Sequence, residues 1–64
     1  MAATVYGPTL RKERLALGVT VVAVAEEMGV TRQTVHAIER AAKVPLGRAN
    51  QYRTALASFT DSAA

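Results

Sequence analysis

A chain of 64 residues is one small domain, which on folding hides roughly 60% of the surface its unfolded form exposes and so needs a well-filled core. It has no cysteine, which excludes disulfides and thiolate metal sites. Its single histidine cannot build a zinc site, and Glu13, Glu26, Glu27, Glu39 and Asp61 are too scattered for a metal cage or a catalytic carboxylate pair. No enzyme, cofactor or small-molecule ligand is expected. The net charge of +3 is unevenly spread. Arg11, Lys12 and Arg14 against Glu13 give residues 9–18 a net +2, Glu26 and Glu27 give residues 20–29 −2, and Arg32, Arg40, Lys43, Arg48 and Arg53 against Glu39 give residues 31–53 +4. That concentration suits an anionic surface such as nucleic acid.

Pro8 fits the first position of a helix predicted over about 8–17, where its missing N–H costs nothing. Leu10, Arg14 and Leu17 follow at helical spacing, and Gly18 is placed to end the helix in the left-handed conformation. Thr20 is the N-cap of a second helix over about 20–28, with Val24, Ala25 and Met28 inward and Gly29 as its stop. Thr31 caps a third over about 31–41, with Val35 and Ile38 on one face and Arg32, Gln33, His36 and Arg40 on the others. Pro45 marks the next boundary. A fourth helix over about 46–59 follows, with Ala49, Tyr52, Leu56 and Phe59 in one stripe. Residues 60–64 are expected to fray. The valines at 19, 21, 22 and 24 do not alternate with polar residues, and no partner strand is evident. The fold is predicted to be all-α. No apolar run approaches the ~20 residues that span a bilayer, and MAATVYGPTL lacks a signal peptide's basic flank and apolar core. A soluble protein with no membrane partner is expected.

Residues 20–40, TVVAVAEEMGVTRQTVHAIER, carry the decisive spacing. Two short helices meet at the turn Gly29–Val30–Thr31; Ala25 permits their close crossing, and Val35 and Ile38 anchor the second to the core. This is the logic of a helix-turn-helix, whose second helix presents its N-terminal side chains to the major groove. From about Leu10 to Leu56 the chain resembles the phage repressor/Cro type of helix-turn-helix, the lambda-repressor-like or XRE family. The resemblance rests on Leu10 and Arg14, Gly18–Val19–Thr20, Val24–Ala25, Gly29–Val30–Thr31, and Val35, Ile38, Glu39 and Arg40. The departures are Val21 and Val22 where the family commonly begins with Gln, Ala41 and Ala42 where it often has Gly, and no room for a fifth helix after Phe59.

The resemblance implies a small four-helix lambda-repressor-like domain over residues 1–64 and a transcriptional regulator, cytoplasmic in a bacterial cell and host- or phage-encoded. Its partner is double-stranded DNA, bound at an operator, with any homodimer weak and completed on the DNA. Base contacts are expected from Arg32 and Gln33, whose side chains can grip guanine and adenine bidentately, and then from Thr34, His36 and Ala37. Thr20, Thr31, Arg40, Lys43 and Arg48 are expected at phosphates. Arg14 and Glu39 are implied to pair across the first and third helices as a structural ion pair. Val21 and Val22, apolar where the family is polar, form a candidate protein-contact patch. Two rival readings remain. One is an excisionase-like architectural DNA binder; the other is a protein-interaction module, an anti-repressor or regulatory subunit using the valines of the second helix.

Overall fold

In the computed structural model, which describes residues 3–61, the chain runs β1 (Thr4–Val5), α1 (Gly7–Ala16), α2 (Val21–Met28), α3 (Arg32–Arg40), β2 (Val44–Pro45) and α4 (Leu46–Asp61). The all-α character holds, with one small addition. β1 and β2 pair antiparallel, Thr4 opposite Pro45 and Val5 opposite Val44, and the Leu46 N–H donates to the Ala3 carbonyl at 3.2 Å. Two-residue strands are too short to leave an alternating pattern in the sequence, and a ladder this short tolerates the N–H that Pro45 lacks.

The helix ends follow from identifiable residues. Gly18 and Gly29 take φ of 69° and 71°, a conformation that costs other residues a Cβ clash. Each closes the same double hydrogen bond. Gly18 and Val19 donate to the carbonyls of Leu15 and Arg14 at 3.0 and 3.3 Å, and Gly29 and Val30 donate to those of Glu26 and Ala25 at 3.2 and 2.9 Å. These are Schellman closures, which satisfy carbonyls that a helix end leaves open. At the opposite ends, the Thr20 hydroxyl accepts the Ala23 N–H and the Thr31 hydroxyl accepts the Thr34 N–H, at 3.1 and 3.2 Å. α3 stops differently. Ala41 leaves the helix extended, at φ −71° and ψ 135°, so alanine suffices where the resemblance leads one to expect glycine, and the chain bends at Ala42 and Lys43 before entering β2.

Three details differ from the spacing-based reading. The first helical residue is Gly7, with Pro8 second. α4 continues through Thr60 to Asp61, so the tail expected to fray is partly helix; residues 62–64 lie outside the described residues. Val21 is half-buried against the core instead of exposed, because it precedes Val24 and Ala25 by three and four residues on the same helix face.

Leu10 of α1, Val24 and Ala25 of α2, Val35 and Ile38 of α3, Val44 of β2, and Ala49, Tyr52, Ala55 and Leu56 of α4 form one buried cluster. Val30 packs on it at the turn between α2 and α3. Gly7 brings α1 against the end of α3. Its N–H donates to the Ala41 carbonyl at 2.8 Å, and a Cβ there would lie 2.3 Å from the Ile38 oxygen and 2.4 Å from the Ala41 oxygen. Backbone atoms cannot rotate away as a side chain can. Gly7→Ala is therefore expected to lower stability by about 1–3 kcal/mol through overpacking. Gly47→Ala, in α4 with nothing within 4 Å of the added atom, should be neutral or stabilising by up to about 1 kcal/mol. Chemical denaturation of both variants checks the contrast, and equal effects would show that close approach is not what Gly7 supplies.

Candidate nucleic-acid interface

α3 divides cleanly into two faces. Val35, Ile38 and Glu39 are buried, while Arg32, Gln33, His36, Ala37 and Arg40 are exposed and Thr34 is half-buried. The lone acid of the helix thus points inward, and its outer face carries no carboxylate. The turn Gly29–Val30–Thr31 sets where this face begins. The Thr31 hydroxyl holds the first turn of α3 and also meets the Thr34 hydroxyl at 3.1 Å, so both threonines take part in the cap.

Arg14 and Glu39 are brought together. The guanidinium donates from Nε to Oε2 at 2.7 Å and from Nη2 to Oε1 at 3.1 Å, while Nη1 donates to the Val19 carbonyl at 2.9 Å. The Tyr52 hydroxyl of α4 donates to the same Oε2. Among the described residues, no buried side-chain polar atom lacks a partner. Burial alone would push the Glu39 carboxyl up; the hydrogen bonds from Arg14 and Tyr52 outweigh it and hold the group below the usual carboxylate range. Burial, and then its bond to Glu39, raise the Tyr52 hydroxyl. Arg14 is raised by its bond to Glu39 and stays charged. Spacing marked Tyr52 as part of an apolar stripe, and its ring is fully buried; the polar duty of its hydroxyl left no local signal.

Two surface features border the exposed face of α3. On one side Pro8 and Arg11 of α1 share a notch with His36, Glu39 and Arg40. On the other, Thr34 and Ala37 share a groove with Lys43, Val44 and Arg48. The cations at and after the end of α3 are therefore split: Arg40 borders the notch, whereas Lys43 and Arg48 line the groove. Thr20 is exposed at the start of α2. In the candidate valine patch Val22 is 44% exposed, while Val21 is half-buried and packs partly against the core. Among the described residues, no three histidine, aspartate or glutamate side chains gather as metal ligands, and no helix is long and apolar enough to cross a membrane.

A family model described as a helix-turn-helix domain matches residues 5–61. No curated protein and no solved structure matches the chain.

The buried carboxylate supplies a test of the scaffold. A group whose folded pKa lies below its unfolded one adds stability that is complete above the unfolded value and lost as pH falls through the folded one. For Glu39 that loss begins below about 4.5, its ordinary value. Thermal melts from pH 7 to pH 3 should therefore decline in that window, with a shallower decline in Glu39→Gln. At pH 7, Arg14→Ala should cost about 3–5 kcal/mol by stranding the carboxylate, and Tyr52→Phe about 1–3 kcal/mol. Combining Arg14→Ala with Glu39→Ala should cost less than the two singly. Wild-type melting in Arg14→Ala would remove the pair from the account of stability.

Proposed function

Because the chain belongs to the helix-turn-helix domain family, we propose that it is a sequence-specific transcriptional regulator of the phage Cro/repressor type that reads the major groove with α3. The family match supports a DNA-binding regulator in general; the finer reading rests on the outer face of α3. That face is rich in hydrogen-bonding and cationic side chains and free of acids, because Glu39 is turned into the core. Arg32 and Gln33, in the first turn beyond the Thr31 cap, make the bidentate base contacts, with guanine and adenine as their preferred partners. His36 and Thr34 add single contacts, and Ala37 meets a thymine methyl. Arg40, Lys43 and Arg48 hold phosphates, as do the capped starts of α2 and α3 at Thr20 and Thr31. The protein acts without catalysis, by occupying an operator.

One such helix covers only a few base pairs, so two copies on half-sites one helical turn apart supply the specificity. The stripe on α4 is largely used by the core: Ala49, Tyr52 and Leu56 are buried and Phe59 is half-buried. A stable dimer generally needs more than about 1,000 Å² of buried area, so pairing occurs mainly on the DNA.

Random-site selection with the purified chain, at stated salt, tests this reading. On the selected site, Arg32→Ala and Gln33→Ala should each cost roughly 1–3 kcal/mol and much less on random DNA. Lys43→Ala and Arg48→Ala should weaken both alike and make the salt slope shallower by about one each. Equal losses for Arg32→Ala on selected and random DNA would sink the assignment of α3 as the reader. Sedimentation at micromolar concentration should give a monomer, and binding to paired half-sites should be cooperative. Shifting one half-site by half a helical turn should abolish that cooperativity. A tight dimer without DNA would overturn the pairing scheme.

A further inference from the structure

Eight cationic side chains are present, and the fold commits two of them internally. Arg14 is closed on Glu39, and Arg53 of α4 makes a bidentate pair with Glu13 of α1 at 3.1 and 2.8 Å. Among the described residues, Arg11, Lys12, Arg32, Arg40, Lys43 and Arg48 form no ion pair within the chain. All of these except Lys12 belong to α3 or border it, and Arg11 reaches it from a different helix.

The positions of the cations around α3 are informative. At about 100° per residue, Gln33, Ala37 and Arg40 form the crest of α3 opposite Val35, Ile38 and Glu39. Arg32 and His36 fall on one flank, and Thr34 on the other. The His36 flank opens into the notch that Arg11 lines together with Arg40. The Thr34 flank opens into the groove that Lys43 and Arg48 line. Glu39 also borders the notch, but its carboxylate is already held by Arg14 and Tyr52 and does not neutralise Arg11. Unpaired positive charge therefore rises on both sides of the reading helix.

A helix in the major groove lies between two phosphate backbones, one from each strand, across a gap of about 12 Å. We propose that Arg11 is a DNA-contacting residue, which with Arg40 holds the phosphates of one strand while Lys43 and Arg48 hold those of the other. This inference rests on the DNA-binding reading above. It adds α1 to the footprint, and it assigns the cations at and after the end of α3 to two different strands. Arg11 carries no base preference, since it stands on α1 across the notch and not on the helix in the groove. Its contribution is to centre α3 between the backbones, so that Arg32 and Gln33 are held over the base edges.

The test uses the whole chain and a duplex obtained by random-site selection. Arg11→Gln should keep wild-type melting, because the side chain is exposed. It should make the slope of log affinity against log salt shallower by about 0.9, the value for one phosphate, and leave the order of preferred bases unchanged. Duplexes with neutral methylphosphonates in one strand at a time then separate the two rails. Wild-type binding should weaken with either strand neutralised; Arg11→Gln should lose sensitivity to one strand, and Lys43→Gln to the other. An unchanged salt slope in Arg11→Gln, with Lys43→Gln still affected, would overturn this inference and leave the DNA-binding reading standing. So would loss of sensitivity to the same strand in both variants. A wild-type chain with no salt-dependent DNA affinity would overturn both together.

Discussion

Three helices meet at one carboxylate. Glu39 of α3 takes two hydrogen bonds from Arg14 of α1 and a third from Tyr52 of α4, and Arg14 reaches on to the Val19 carbonyl before α2. A charge placed inside a domain this small would ordinarily be costly, because desolvation exceeds the attraction of a single partner. Here every oxygen of the carboxylate is satisfied, and the geometry of a planar guanidinium against a planar carboxylate allows only a narrow range of orientations. The pair therefore does more than add stability. It restricts the rotation of α3 about its own axis, because turning the helix would withdraw Glu39 from both partners. The direction in which Arg32 and Gln33 point is thus fixed from the opposite side of the helix.

The same residue shapes the electrostatics. An exposed glutamate on α3 would repel phosphates and offset a neighbouring arginine. Turning Glu39 inward removes that conflict and uses the charge to hold the scaffold. Glu13 has a comparable relation with Arg53, but on the surface, where both side chains are partly exposed and such a pair contributes little to stability. Its consequence is to remove Arg53 from the cations available around α3. What looks in the sequence like five positive residues between 31 and 53 becomes four available ones, joined by Arg11 from α1.

Much of this was legible in the residues themselves, and the exceptions have a common cause. Thr20, Thr31, Gly18 and Gly29 act within their own turns, so chain order alone predicts the ends they cap or close. The inward stripes of α2, α3 and α4 follow from helical spacing, and Val21 was readable by the same rule, three residues before Val24. Gly7 was not readable. What demands a glycine there is the backbone of Ile38 and Ala41, remote in sequence and close only in the fold. The β1–β2 pairing was hidden because two residues make no periodicity. The Tyr52 hydroxyl and the Arg53–Glu13 pair depend on contacts across 13 and 40 positions, which no local pattern encodes. Arg14 with Glu39 was implied only by resemblance.

The candidate site shows the same division. Which side chains of α3 face outward follows from its period, since Val35 and Ile38 mark the buried side. Which flank each remaining cation serves does not, because it depends on where α1 and the start of α4 lie. Arg40 and Lys43 are three residues apart, yet they border different surface features. The reason is the extended exit at Ala41: the chain leaves the helix there and bends at Ala42 and Lys43 before β2, so residues after Ala41 no longer follow the helical wheel. The pairing of β2 with β1 carries Lys43 to the far side of α3, while Gly7 lets α1 approach closely enough to bring Arg11 to the near side. A two-residue ladder and one glycine, neither part of α3, thus shape how positive charge is distributed around it.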